Sequence, residues 1–433
     1  MHDNTAPLVK RLLRAGSVGV VIKAFSMLMT IAIGVVLARI LGPEGYGVYS
    51  FVIAIVAVLG IPVELGLPTL VVRETARLCV EERWDVIRGI WKWSGRMVML
   101  LSSTIFLVVS PFFVVYADTY SEEKWATLIA GLLLVPIVGL AKVRSAALRG
   151  LRYVIVGQLP EQVAKPVVFL VLLGSFISLF SSQYITATVA MSMLVFASGI
   201  SLFLSAYMLG NVGKQAADVR PAYDSQTWIR AVIPLAVISA VNLINKSTDT
   251  LLLGMYLSPY EVGIYSVAAQ GALVVIFGLS VANLIVAPYF SRLYNIGDFG
   301  SLQRVVTLSS RCILLVALFV VAFYLLAGDV IVGAVFGREY LGAVPALKIL
   351  AAGQLVNAAM GSVGFLLTMT GHEKEVVKAV SISAVVNIVC NMVFIPVWGV
   401  SGAAFATAIS IVVWNTYLWF SVKKHLNIKS SPI

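Results

Sequence analysis

Leu41-Gly42-Pro43-Glu44-Gly45-Tyr46-Gly47-Val48-Tyr49-Ser50 recurs as Leu257-Ser258-Pro259-Tyr260-Glu261-Val262-Gly263-Ile264-Tyr265-Ser266, with Leu, Pro, Gly, Tyr and Ser identical. The offset of 216 residues is half of the 433-residue chain. Each copy lies in a short turn that follows one long apolar stretch and precedes the next. A transporter built from two like halves has this arrangement, with its substrate site expected between them.

Composition outside the repeat agrees. Hydrophobic residues make up 60% of the chain and charged residues 12%, against about 25% charged in a soluble domain. The mean hydropathy is +0.97. A spanning helix needs about 20 apolar residues. The predicted fold is therefore an all-α integral membrane protein of about 12 transmembrane helices. The predicted spans are 16–38, 48–72, 96–116, 125–141, 153–180, 184–209, 229–257, 263–289, 306–327, 345–370, 379–396 and 400–422. The basic N-terminus leads into an apolar run of full span length without a small-residue cleavage site, which reads as the first span and not a signal peptide. The longest polar stretch in mid-chain divides the sequence into a six-helix half at 1–209, a cytoplasmic linker at 210–228 and a second six-helix half at 229–433. An even number of spans per half makes the halves parallel repeats, expected to surround a central cavity.

The formal net charge of +11 invites a nucleic-acid reading, and the distribution of charge removes it. Of the 31 Lys and Arg, 24 fall on the side that holds both termini, 4 on the other and 3 within spans. This asymmetry places both termini in the cytoplasm of a multi-pass cell-membrane (inner or plasma membrane) protein. It leaves membrane lipids as partners and no role for nucleic acid. Trp84, Trp91, Trp93, Trp125, Trp228 and Trp398 lie near predicted span ends, where an interfacial aromatic belt is expected.

Ionisable groups inside spans are costly, and they mark cavities or partners. Lys23 lies about 10 Å into the first span at 1.5 Å per residue, deep enough to face a cavity and shallow enough to snorkel. The fifth span carries Gln158, Glu161, Gln162 and Lys165 on one face between Pro160 and Pro166. Two prolines there predict a bent helix whose freed backbone lines water. In the seventh span Ser239, Asn242, Asn245, Lys246 and Asp249 draw a polar stripe through mid-membrane. It suits a cavity wall, or helix–helix contact with an internal Lys246–Asp249 pair. Glu64, between Pro62 and Pro68, is a candidate proton or ion relay together with Asp249, or a partner of Lys23 or Arg73. Gln270, Asn283, Gln354, Asn357, Asn387 and Asn391 add amides to the second half that suit sugar hydroxyls or helix contacts. Cys79, Cys312 and Cys390 imply no disulfide framework. No phosphate-cradling glycine loop, metal-ligand spacing or nucleophile–base set is present, so the chain reads as neither an enzyme nor a holder of cofactor or metal.

Leu37-Ala38-Arg39-Ile40-Leu41-Gly42-Pro43, then Tyr46-Gly47, closes the first span in a way that resembles the polysaccharide and O-antigen flippases. These belong to the multidrug/oligosaccharidyl-lipid/polysaccharide exporter superfamily. Glu64-Leu65-Gly66-Leu67 with Arg73-Glu74-Thr75-Ala76, Leu148-Arg149-Gly150, Asp249-Thr250-Leu251-Leu252-Leu253-Gly254 and Phe336-Gly337-Arg338-Glu339-Tyr340 extend the likeness along the chain. The resemblance implies a carrier that moves a polyprenyl-diphosphate-linked oligosaccharide from the inner to the outer leaflet by alternating access, for cell-surface polysaccharide biosynthesis. It also implies a coupling ion, H+ or Na+, and polysaccharide-assembly proteins as partners. A cationic, hydrated cavity would suit the anionic diphosphate. The cavity candidates are Lys23, Arg39, Glu161, Lys165, Asn242, Asn245, Lys246 and Asp249, with Arg39 matching the family's span-end arginine at the outer mouth. The alternative is a multidrug or small-cation exporter of the same superfamily, which would want a net acidic cavity.

Overall fold

The computed structural model describes residues 6–64, 66–115, 121–217, 219–428 and 430, and every regular element among them is helical. Fifteen α-helices follow in chain order: α1 (Ala6–Glu64), α2 (Leu67–Val80), α3 (Trp84–Val115), α4 (Glu122–Leu132), α5 (Leu134–Gly150), α6 (Val154–Leu159), α7 (Lys165–Phe180), α8 (Ala187–Val212), α9 (Lys214–Ala217), α10 (Ser225–Tyr256), α11 (Pro259–Asn295), α12 (Phe299–Val335), α13 (Val344–Met360), α14 (Val363–Met369) and α15 (Glu373–Leu426). A π-helical turn, Pro160–Ala164, joins α6 to α7, and a 3-10 turn, Arg338–Ala343, precedes α13.

Two helices are too long to be single spans. At 1.5 Å per residue the 59 residues of α1 would run about 88 Å, nearly three hydrocarbon cores. The helix breaks at Gly42, where φ is 66° and ψ 176°. The 54-residue α15 breaks likewise at Gly399, with φ 55° and ψ −130°. Positive φ costs glycine nothing, because it has no Cβ to meet the backbone. Nine helical stretches among the described residues are long and apolar enough to cross a membrane. Counting the two broken ones twice and adding the 32-residue α10 accounts for the twelve predicted spans.

The chain forms two compact units, Gly34–Ser50 with Thr248–Ile433 (and the N-terminal stretch to Val20), and Val21–Ile33 with Phe51–Ser247. The division passes through α1 between Ile33 and Gly34, and through α10 between Ser247 and Thr248. The 216-residue offset relates those two points to within two residues. We call the units C-unit and N-unit, after the half of the chain that dominates each.

The N-unit core gathers Leu67, Leu70 and Val71 of α2, Ile87, Ile90 and Trp93 of α3, Leu148 of α5 and Trp228 of α10. Trp93 and Trp228 are 7% and 2% exposed, and their rings meet at 5.4 Å. The expected interfacial belt does not include these two. Residues 219–228 are drawn onto α3: the Ala222 amide donates to the Asp85 carbonyl at 3.0 Å, and the Arg88 guanidinium donates to the Val219 carbonyl. The indole at the start of α10 is thereby carried into the core. The C-unit core joins Phe290, Leu302, Val306, Leu366, Leu418 and Val422 from α11, α12, α14 and α15. Large apolar side chains such as Leu107, Phe203, Phe319 and Leu326 point outward, as they do on surfaces that face lipid and not water.

Candidate functional site

The N-unit holds a group of charges on its apolar helices. Pro160 and Pro166 cannot donate to the helical ladder, and between them the fifth span loosens into the π turn. Such one-turn insertions shift the helical face and recur at functional sites. The turn presents Glu161, and α7 begins on Lys165. Both are partly buried. On the facing α5, Lys142 donates to Glu64 Oε1 at 2.5 Å, the two side chains being 33% and 17% exposed. Glu161 interacts electrostatically with Lys165, Lys142, Arg149 and Glu64. Lys165 interacts with Glu161, Lys142 and Lys246. Lys142, Lys165 and Arg149 thus act on Glu161, while Lys246, exposed on α10, acts on Lys165.

This arrangement brings together Glu64, Glu161, Lys165 and Lys246 from the sequence expectations. It adds Lys142 and Arg149 of α5, which lie outside the predicted spans. Glu64 pairs with Lys142 and with neither Lys23 nor Arg73, because Arg73 is taken by Glu74 at 3.1 Å. Lys23 is exposed on α1, and it has no ion-pair or hydrogen-bond partner among the described residues. Asn245 is partly buried on α10. Asn242 lies on the same helix, and its side chain is outside the described residues.

The C-unit holds one buried carboxylate. Asp249 is 7% exposed. Its Oδ2 accepts from the Tyr265 hydroxyl at 2.6 Å and from the Thr407 hydroxyl. Its Oδ1 accepts from Asn391 Nδ2 at 2.7 Å and Asn387 Nδ2 at 3.0 Å. The break at Gly399 matters here, since Asn387 and Asn391 precede it and Thr407 follows it on α15. Asp249 thus takes its partners from α11 and α15, not from Lys246. The Oδ1 atoms of Asn387 and Asn391 are buried and have no hydrogen-bond partner among the described residues. A buried unpaired polar atom is costly and calls for an explanation. Rotating either amide would turn its oxygen toward the carboxylate, completing an all-oxygen set of carboxylate, amide, hydroxyl and phenol. Hard ligands of this kind suit an alkali or alkaline-earth cation and not a thiophilic metal.

The two copies of the repeat meet inside the C-unit. A Cβ placed on Gly47 would lie 1.7 Å from the Pro259 carbonyl oxygen and 2.9 Å from the Gly263 nitrogen. A Cβ on Gly263 would lie 2.0 Å from the Pro43 carbonyl oxygen and 3.2 Å from the Gly47 nitrogen. Adding 216 to 43 and 47 gives 259 and 263, so the contact is reciprocal, as a local two-fold requires. Only glycine permits backbones this close. Around it, the Tyr46 hydroxyl donates to Gln270 Oε1 at 2.9 Å and the Tyr340 hydroxyl to the Ala38 carbonyl at 2.8 Å. Arg39 donates to the Val335 carbonyl at 2.7 Å and to that of Ala334. A cation at the carbonyl end of α12 is favourable for the helix dipole, so the span-end arginine here joins α1 to α12.

Residues 12–294 match the family described as "Polysaccharide biosynthesis protein". The chain belongs to this family. The protein named "Putative O-antigen transporter" in Shigella flexneri is 26% identical over 391 residues, 87% of this chain and 89% of that one. The "Probable low-salt glycan biosynthesis flippase Agl15" of Haloferax volcanii is 31% identical over 173 residues, 39% of this chain and only 36% of that protein's length. Among solved structures, an inward-facing multidrug resistance MATE family transporter of the MOP superfamily superposes with a TM-score of 0.74 at 15% identity, covering 93% of this chain and 94% of that one. The lipid II flippase MurJ, in an inward closed conformation, superposes with a TM-score of 0.73 at 14% identity, covering 93% and 87%. Likeness at such identity establishes a shared fold. This member of the polysaccharide biosynthesis family is therefore a multi-pass, all-α membrane protein with the fold of those transporters.

Proposed function

We propose that the protein is a flippase that carries a polyprenyl-diphosphate-linked oligosaccharide from the inner to the outer leaflet of the cell membrane by alternating access, for surface polysaccharide assembly. The observation that carries this reading is the excess of cations in the N-unit group, where Lys142, Arg149, Lys165 and Lys246 outnumber Glu64 and Glu161. A diphosphate brings negative charge into a site of reduced dielectric, where such cations act strongly. A carrier of organic cations would need the opposite balance, which weighs against the multidrug-exporter alternative despite the shared fold. The glycan flippase and O-antigen transporter named among the relatives support the same substrate class. The lipid tail can remain in the bilayer while the headgroup crosses, so no enclosed apolar pocket is needed for it.

Asp249 is the coupling site in this proposal. A protonated carboxyl could no longer accept from all four donors. A Na+ ion would leave the carboxylate charged and draw the amide oxygens of Asn387 and Asn391 inward. Either event changes how α10, α11 and α15 are held together. We place both termini in the cytoplasm, on the distribution of Lys and Arg.

The test is a deletion strain in which lipid-linked glycans are assayed by leaflet. Accumulation on the cytoplasmic face, reversed by the intact gene, is the expected result. Normal glycan distribution combined with sensitivity to cationic drugs would replace the proposal with the multidrug-exporter reading.

A further inference from the structure

A second basic site lies in the N-unit and shares no residue with the charged group around Lys165. It is a cavity of about 760 Å³ between α3, α5, α8 and α9, within the usual range of about 300–1,000 Å³ for ligand sites. Arg88, Lys92 and Arg96 follow one another at four-residue spacing along α3, and Arg144 joins them from α5. No acidic residue lines the cavity among the described residues. Arg88 is occupied by the Val219 carbonyl. Arg96 stacks over the Tyr223 ring at 5.7 Å, which leaves its guanidinium edge free. Lys92 and Arg144 are exposed and have neither an ion-pair nor a hydrogen-bond partner among the described residues.

The cavity changes character along α3. Beyond Arg96 the lining becomes Met99 and Leu140, and Met99 and the next residue, Leu100, are 49% and 59% exposed. This end opens toward the lipid-facing side of the helix. Two glycines keep the space open: a Cβ on Gly210 would meet nothing within 4 Å, and one on Gly95 would meet only Leu140, at 3.9 Å. Trp91 forms a fixed wall, its indole N–H donating to the Thr75 hydroxyl at 3.0 Å.

We propose that this cavity binds an anionic phospholipid of the surrounding bilayer, with its headgroup phosphate on Lys92, Arg96 and Arg144 and an acyl chain along Met99 and Leu140. Three cations with no ion-pair partner among the described residues match a phosphate. A free phosphate ion would satisfy the cations and leave the apolar half open. A lipid satisfies both, which favours it as the occupant.

The experiment uses the full chain in phosphatidylcholine nanodiscs, titrated with brominated phosphatidylglycerol. Quenching of Trp91 is isolated by subtracting the Trp91→Phe protein. Saturable quenching by the bromolipid is expected, absent with brominated phosphatidylcholine. Lys92→Gln/Arg96→Gln/Arg144→Gln should weaken it on the order of 100-fold, from roughly fivefold per neutralised charge. The control Lys374→Gln/Lys423→Gln/Lys424→Gln should leave it unchanged. Gly95→Leu keeps every charge and fills the cavity, so it should also abolish quenching, and it serves if the triple variant fails to fold. The proposal is overturned if both lipids quench alike, if the triple variant or Gly95→Leu binds as the wild type does, or if millimolar inorganic phosphate displaces the lipid completely.

Discussion

At the scale of single residues, Asp249 gives the sharpest test. Asp249→Asn keeps the shape and one acceptor oxygen, but it points an NH2 group at two of the four donors. In proteoliposomes, transport should fall at least about tenfold, with a loss of stability of about 2–3 kcal/mol for hydrogen bonds to a charged group. If Asp249→Asn transports at the wild-type rate, the coupling role is wrong. The Glu64–Lys142 pair can be weighed by a double-mutant cycle on Glu64→Gln and Lys142→Gln, read by thermal unfolding. Partly buried partners in direct contact should couple by about 1 kcal/mol. Additive losses would mean that the two charges are held independently. The sequence displayed Asp249, Glu161, Lys165 and Lys246 because an ionisable residue inside an apolar run is rare. It hid Lys142, since a lysine near a span end looks like any other cytoplasmic positive charge. It hid Tyr265 and Thr407 as well: hydroxyls are common in membrane helices, and Thr407 reaches Asp249 across 158 residues of chain, a separation that no local pattern records.

At the scale of elements, glycines divide into those that hold helices together and those that merely sit in them. Gly47→Ala and Gly263→Ala each drive a methyl group into a backbone carbonyl of the other copy of the repeat, a contact a side-chain rotation cannot relieve. Each should cost about 1–3 kcal/mol or more. The double variant should cost less than the sum, because both act on one contact. Gly174→Ala in α7 and Gly199→Ala in α8 meet nothing within 4 Å, and they should be neutral or stabilising by up to about 1 kcal/mol. Thermal unfolding of the four single variants separates the classes, and equal effects would deny the repeat contact its structural role. The sequence repeat pointed to chain breaks, which fall at Gly42 and at Leu257-Ser258. It could not announce that the copies touch, because pairing across 216 residues depends on how whole helices pack. Trp228 teaches the same lesson in reverse. By position it is a belt residue, yet it packs on Trp93 at 2% exposure. Trp228→Ala should therefore cost about 3–5 kcal/mol, where truncating an interfacial indole would cost little.

At the scale of the whole molecule, the repeat and the two broken helices make one joint claim about topology. If Gly42 and Gly399 are turns at a membrane surface, each long helix crosses twice, the spans number twelve, and both halves begin on the same side. Glu44 and Tyr260 are equivalent under the 216-residue offset, and both are exposed. Each should then face the outside, while Lys374 faces the cytoplasm. A protein with Cys79, Cys312 and Cys390 replaced, and one cysteine installed by Glu44→Cys, Tyr260→Cys or Lys374→Cys, tests this in intact cells with a membrane-impermeant thiol reagent. The first two should label without lysis and the third only after it. The charge asymmetry makes the same assignment independently, since Lys374 lies on the side with 24 cations and Glu44 on the side with 4. Labelling of Glu44→Cys and Tyr260→Cys from opposite sides would break the parallel relation between the halves. Labelling of both from the cytoplasm alone would keep that relation and invert the predicted topology.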